Sequence, residues 1–335
     1  MRRILARQGA VVVAETPIPG VPHNGYLVEA EYSLISPGTE LGLIAASQDG
    51  TERSLGYSLV GRVAAAGQAA PPFPPGQLVT CAGYQCAWHA EYVAVPPLLA
   101  TAVPAEVDPR AATFTTLGAV AMHALRQGGV MLGDRAVVMG LGVLGQLLVQ
   151  LLRAAGVHAA GLDLVEERCA LARRLGAEIA LGGSSPSDHE SLREWSEGIG
   201  ADCVFLCTSG GDEVVAQSCA LARDRGRLVV VGTPPLHVPR EPFFAKELTM
   251  TIARAYGPGR YDPIYEEQGI DYPVGYVRWT QGRNRAEFLR LLRTGLVRVE
   301  PLISHTFPIE QAEDAFALLK RDPDAAMGVL FRYPR

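Results

Sequence analysis

Apolar residues follow two different rhythms along this chain. In residues 1–35 and 56–95 they alternate with polar or small residues in short runs, such as Tyr26-Leu27-Val28-Glu29-Ala30 and Leu59-Val60-Gly61-Arg62-Val63, with frequent Gly and Pro between runs. Alternation with period two, punctuated by turn residues, predicts antiparallel strands. Residues 70–76 carry four prolines, which remove backbone donors and predict a rigid surface loop.

From about residue 109 the rhythm changes to helix, then strand, then helix. Residues 135–139 read as a buried strand, 144–155 as an apolar helix, 157–162 as a second strand and 166–175 as a second helix; further strands are predicted at 203–207 and 227–231. This alternation points to a parallel sheet with covering helices. After residue 253 the periodicity breaks. Aromatic, Gly, Pro and Arg residues crowd 255–265 and 276–279, which predicts an ordered loop over a site. Helical pieces at 285–294 and 309–320 and a strand at 328–332 follow.

Composition narrows the field. With 335 residues, 48% apolar and 19% charged, the chain can bury two domain cores. A net charge of −5 with scattered basic residues argues against nucleic-acid binding. The absence of an apolar run of about 18 residues or of a secretory leader predicts a cytoplasmic chain with no membrane partner. Six cysteines at irregular positions read as reduced thiols, and only Cys81, Cys86 and His89 group by type. Lys246 and Lys320 are the two lysines, and neither sits in a recognisable Schiff-base site.

Gly140-Leu141-Gly142-Val143-Leu144-Gly145 is a G-x-G-x-x-G string between a predicted strand and an apolar helix, with Asp163 ending the next strand. Each glycine has a reason: Gly140 for the tight turn, Gly142 for approach of a pyrophosphate, Gly145 for close helix–strand packing. The helix N-terminus offers free N–H groups to phosphates. Asp163, with Leu164 beside it, would bind the adenosine ribose hydroxyls and repel a 2′-phosphate, favouring NAD over NADP. Arg168 is the counter-argument, read as a solvated helix residue. Cys207-Thr208 and Val231-Gly232-Thr233 end later strands, where such sheets place cofactor-contacting loops.

Longer strings carry a resemblance. Ser36-Pro37-Gly38-Thr39-Glu40, Leu55-Gly56-Tyr57-Ser58, His89-Ala90-Glu91-Tyr92, Phe114-Thr115-Thr116-Leu117-Gly118 and Tyr256-Gly257-Pro258-Gly259-Arg260-Tyr261-Asp262 resemble the medium-chain dehydrogenase/reductase superfamily, and within it the dehydrogenase half of bi-domain sugar-related oxidoreductases. The resemblance implies an α/β fold: a Rossmann-type doubly wound parallel sheet domain at 117–254 and a β-rich GroES-like catalytic domain formed by 1–116 and 255–335, with a substrate loop at 255–280. It also implies a homodimer, with residues 247–253 as a strand pairing across it.

Zinc members of that superfamily hold the metal at positions that here carry Pro37, the pair Tyr57-Ser58, and Thr115. Zinc prefers thiolate, imidazole or carboxylate, so these positions predict no zinc. The four closely spaced cysteines of the structural zinc lobe are missing, and Cys81-x4-Cys86-x2-His89 suits a metal badly. By the resemblance, Tyr57 takes the place of a lost ligand and would serve as general acid/base, His89 as proton relay or as a ligand for substrate hydroxyls, Thr39 as a relaying hydroxyl and Glu40 as an orienting acid. Thr115, Thr116, Arg254, Tyr256, Arg260, Tyr261 and Arg278 are candidates for holding a polyhydroxylated or anionic small molecule, although such loops also make dimer contacts. The expectation is a zinc-independent, NAD-dependent oxidoreductase interconverting a secondary alcohol and a ketone of a sugar, cyclitol or related polyol. The alternatives are a zinc-free quinone or enoyl reductase and a non-catalytic NAD-binding sensor.

Overall fold

The computed structural model describes residues 1–183 and 185–334. The chain divides into two units, Met1–Leu117 with Pro258–Arg335, and Gly118–Gly257.

In the first unit a seven-stranded sheet runs in the order Ile303–Pro308, Gly328–Arg332, Tyr26–Leu34, Ser58–Ala66, Leu78–Ala82, Ala100–Ala102, and Tyr92–Val95 also pairs with Tyr26–Leu34. Most pairings are antiparallel, but Ile303–Pro308 joins Gly328–Arg332 in parallel. The alternation read from sequence is the alternation of burial: Tyr26, Val28 and Ala30 are buried while Glu29 is exposed. These side chains join Leu59, Val93, Phe316 and Phe331 in one core, where each fully buried large apolar group contributes about 1.5–3 kcal/mol. Pro37–Ala46 forms a ten-residue helix where the Pro-Gly-Thr string reads as a turn. Proline is at home in the first turn of a helix because the N–H it lacks has no acceptor there.

The second unit holds a six-stranded parallel sheet ordered Ile179–Leu181, His158–Leu162, Arg135–Met139, Ala201–Leu206, Ala222–Val230, Thr249–Ile252. Arg135–Met139 is buried over its last four residues, as a strand covered on both faces must be. In chain order the strands run third, second, first, fourth, fifth, sixth. The direction reverses between Arg135–Met139 and Ala201–Leu206, and at such a reversal the carboxyl ends of the strands open a crevice for ligands. Among the described residues no helix is long and apolar enough to cross a membrane.

Candidate active site

The glycine-rich string sits at that reversal. Gly140 leaves its strand with φ +93°, a left-handed conformation that favours glycine. An added Cβ there would lie 2.9 Å from the Cys207 carbonyl oxygen, so the turn passes directly over the end of the neighbouring strand. Gly142 caps the helix Val143–Ala154 with no side-chain cap of its own, and a Cβ on it would meet nothing within 4 Å. A Cβ on Gly145 would lie 1.9 Å from the Gly140 carbonyl oxygen. The loop is therefore closed on its inner side and open on its outer side, where the uncapped N–H groups of the first turn face an incoming anion. Leu141 turns its side chain into the core, while Val143 and Leu144 are half-buried.

Asp163 braces this loop. Its Oδ2 accepts the Leu141 N–H at 2.7 Å and its Oδ1 accepts the Val165 N–H at 3.0 Å. Arg168 is half-buried, with its guanidinium 3.7 Å from Asp163 Oδ1. It faces the carboxylate instead of being the solvated residue expected from sequence, because the helix Glu166–Leu175 starts directly after Asp163 and turns that position inward. Gln146, fully buried, donates to the carbonyls of Leu141 and Arg168, tying the loop to the second helix. Sequence reasoning missed it. Leu164 is 85% exposed. Cys207 and Thr208 follow the strand Ala201–Leu206; burial pushes the Cys207 thiol up to about 12, so it stays protonated. Gly232 fits closely against Thr208, whose carbonyl oxygen an added Cβ would overlap, with Val231 half-buried and Thr233 exposed.

The first unit carries a buried polar chain. Ser36, N-cap of the helix Pro37–Ala46, does not cap it with its hydroxyl; Glu40 one turn later accepts the Ser36 N–H on Oε1 at 2.7 Å. Glu40 Oε2 lies 2.9 Å from His89 Nε2, His89 Nδ1 lies 2.7 Å from Ser33 Oγ, and Ser33 Oγ lies 2.7 Å from the Tyr333 hydroxyl. Glu40, His89 and Ser33 are wholly buried. Gly56, at φ +94°, makes this possible, since a Cβ there would lie 2.5 Å from the His89 nitrogen and 2.8 Å from its ring. Both ring nitrogens of His89 are thus engaged inside the protein. This corrects the expectation that His89 meets substrate: the ring packs edge-on against Phe331, 5.0 Å between centroids, and acts on Glu40.

Tyr57 is half-buried and donates its hydroxyl hydrogen to Ser36 Oγ at 2.7 Å. Burial pushes its phenol up to about 12; the hydroxyls of Ser36 and Thr39 pull it down, while Glu40 and Tyr261 nearby raise it. Ser36, Thr39 and Tyr57 therefore form one hydroxyl cluster. Thr39 itself is exposed.

The remaining candidates divide. Thr115 is buried and donates to the Ala112 carbonyl at 2.7 Å, while the Thr116 hydroxyl is buried without a partner among the described residues. Arg260 is nearly buried, bonded to both oxygens of Glu266 at 2.8 and 2.9 Å and stacked on Tyr261. Its guanidinium is paired within the loop. Tyr256 is buried, Tyr261 is 54% exposed, and Arg278 is exposed and stacks on Trp279 at 4.0 Å. Arg254 is exposed and, with Tyr256, belongs to the second unit.

A family model described as zinc-binding dehydrogenase matches residues 143–268. L-threonine 3-dehydrogenase of Bacillus velezensis is 26% identical over 358 residues, spanning 96% of each chain. Sorbitol dehydrogenase of Halalkalibacterium halodurans is 26% identical over 223 residues, covering 65% of this chain and 58% of that one. The crystal structure of galactitol-1-phosphate dehydrogenase from Escherichia coli superposes with TM-score 0.84 at 19% identity, over 99% of this chain and all of the other. The family model, the dehydrogenase relatives and the shared fold support the medium-chain dehydrogenase/reductase superfamily.

The matching family model is described as zinc-binding, so the donor set here has to be tested against that ion. Among the described residues no three His, Cys, Asp or Glu side chains cluster as a metal requires. Pro37 offers no ligand atom, Ser58 spends its hydroxyl on the Thr113 carbonyl at 2.6 Å, and Thr115 spends its own on Ala112. His89 is committed to Glu40 and Ser33, and burial holds the Cys86 thiol up at about 12 and raises Cys81 as well. These residues do not fit zinc. The glycine loop, by contrast, fits a dinucleotide: its one outward glycine leaves the space a pyrophosphate takes.

Proposed function

We propose that this NAD(P)-dependent oxidoreductase interconverts a secondary alcohol and a ketone of a sugar, cyclitol or related polyol, prefers NAD, and works without zinc. The observation that carries the reading is the cluster of Ser36, Thr39 and Tyr57 hydroxyls, since Tyr57 occupies a position the resemblance assigns to a zinc ligand. The negative charge that builds on a carbinol oxygen needs a donor aimed at it, and hydroxyls in a partly desolvated setting meet that need. A bound nicotinamide dinucleotide would exchange a hydride with the carbinol carbon; Gly140, Gly142 and Gly145 would hold its pyrophosphate and Asp163 its ribose.

Two curated or solved neighbours carry polyol names, sorbitol and galactitol 1-phosphate, which supports that substrate class. The NAD preference is supported by Asp163, which braces the glycine loop through the Leu141 N–H and whose carboxylate would repel a 2′-phosphate. A homodimer joined through the free edge of the strand Thr249–Ile252, where Ile252 is 59% exposed, belongs to the same reading.

The test is oxidation of a panel of polyols and cyclitols with NAD and NADP, and reduction of the matching ketones. Turnover of a polyol with NAD above NADP supports the proposal. Reduction of quinones or conjugated enones with NADPH alone, or dinucleotide binding with no turnover, contradicts it.

A further inference from the structure

We propose that Ser36 supplies the hydroxyl that touches the substrate oxygen, with Tyr57 behind it as the donor that refills Ser36. The inference rests on the dehydrogenase reading and deepens it.

Direction is the first observation. The Tyr57 hydroxyl donates to Ser36 Oγ at 2.7 Å, so the phenol hydrogen already has an acceptor, and the hydrogen free to go elsewhere is that of Ser36. No acceptor for it is found among the described residues. The second observation concerns the cap. A serine at a helix N-cap normally turns its oxygen onto an N–H of the first turn; Ser36 does not. The two N–H groups of Thr39 and Glu40 bond instead to the Ser36 carbonyl, at 3.2 and 3.0 Å. The Ser36 hydroxyl is therefore released from structural duty.

Third, its position is fixed from behind. The Ser36 N–H is held by Glu40, Glu40 by His89, His89 by Ser33, and Ser33 by Tyr333. The four residues behind Ser36 are buried, while Ser36 itself is half-buried. Glu40, His89, Ser33 and Tyr333 are positioning residues in this scheme, and Ser36 is the catalytic one. A phenol that stays protonated up to about 12 remains a donor throughout the working range, as a reservoir behind Ser36 must.

The proton balance closes. In ketone reduction the carbonyl carbon gains a hydride from the reduced nicotinamide dinucleotide and its oxygen takes the Ser36 hydroxyl proton. Ser36 Oγ takes the Tyr57 proton, and solvent refills Tyr57 past the exposed Thr39. Oxidation of the alcohol runs the same steps backwards.

The experiment uses full-length wild type, S36A, S36T, Y57F and S36A/Y57F, each checked for an unchanged melting temperature. With a ketone that wild type reduces, S36A is expected to lower kcat about 100- to 1,000-fold with NADH affinity unchanged, S36T to recover most of it, and the double variant to be no slower than S36A. An S36A enzyme with wild-type kcat, or losses that multiply in the double variant, overturns the relay. A second readout is independent of turnover: the ionisation of the Tyr57 phenol, followed by NMR of ring-labelled tyrosine and assigned by its loss in Y57F. Removing Ser36 is expected to move that ionisation upward, and an unmoved ionisation overturns the contact. If wild type binds no dinucleotide, the dehydrogenase reading has failed, and the phenol titration still decides the Ser36–Tyr57 contact.

Discussion

Gly142 and Gly145 stand three residues apart at the start of one helix, yet a methyl group on the first meets nothing within 4 Å and one on the second lies 1.9 Å from the Gly140 carbonyl oxygen. The two glycines therefore answer to different demands. Gly145 is required by the fold, whereas nothing in the fold itself requires a glycine at position 142.

From this contrast, Gly142→Ala is expected to fold with an unchanged melting temperature and to bind NADH about 10- to 100-fold more weakly, each tenfold being about 1.4 kcal/mol. Gly145→Ala is expected to lower thermal stability as well, because the backbone must move. Calorimetric binding together with thermal melts separates the two. Tight NADH binding by Gly142→Ala would mean the pyrophosphate lies elsewhere.

Asp163 and Arg168 give a second prediction. In the proposed reading the carboxylate discriminates against a 2′-phosphate, and the guanidinium beside it is held at 3.7 Å. Asp163→Ser removes the repulsion and releases Arg168 to meet a phosphate. The ratio of kcat/KM for NADP over NAD should rise about 10- to 100-fold. A ratio that stays put would show that cofactor choice is made by other groups.

How much of this was legible beforehand depends on the range of the contacts involved. The strand Arg135–Met139 and the helix Glu166–Leu175 lie at the residues the pattern predicts, because an apolar run and its periodicity are local properties. The doubly wound parallel sheet follows from that alternation. The helix Pro37–Ala46 was hidden behind a Pro-Gly-Thr string that mimics a turn. Tyr333 lies 300 positions from Ser33, so no spacing could announce their hydrogen bond. The burial of His89 depends on Gly56, 33 positions earlier in the chain (89 − 56), and only the folded sheet brings them together. The pairing of Arg260 with Glu266 was not legible because no helical or strand period links the two.

The Glu40–His89 pair is wholly buried, and removing one partner so that the other is left unsatisfied costs about 1–3 kcal/mol. His89→Ala and His89→Phe should both lose stability on this scale in urea unfolding, since Phe restores volume but leaves the Glu40 carboxylate without its partner. Recovery of wild-type stability by Phe would assign His89 a packing role alone.

Alkaline behaviour follows from Tyr57. Its phenol is raised from 10.0 to about 12, chiefly by burial, so the folded state keeps a proton that the unfolded chain gives up near pH 10. Stability from this source is complete below about pH 10 and is lost as pH rises toward about 12. Tyr57→Phe should flatten the pH dependence of the unfolding free energy in that window. Ketone reduction should be level across neutral pH, where the phenol stays a donor, and alcohol oxidation should keep accelerating with pH because its proton must leave through the same phenol. Glu40 and Tyr261 raise the same phenol, so an oxidation rate that levels off near pH 7 would point to a different acceptor.

The most direct measurement is metal content against turnover. The full-length protein, purified and then dialysed against a strong chelator, is assayed by NADH absorbance with a ketone or polyol it turns over, and its zinc is quantified by mass spectrometry. The account predicts substoichiometric zinc and an unchanged kcat, with no gain on adding zinc. Loss of activity with the metal, restored by one equivalent of zinc, would contradict it.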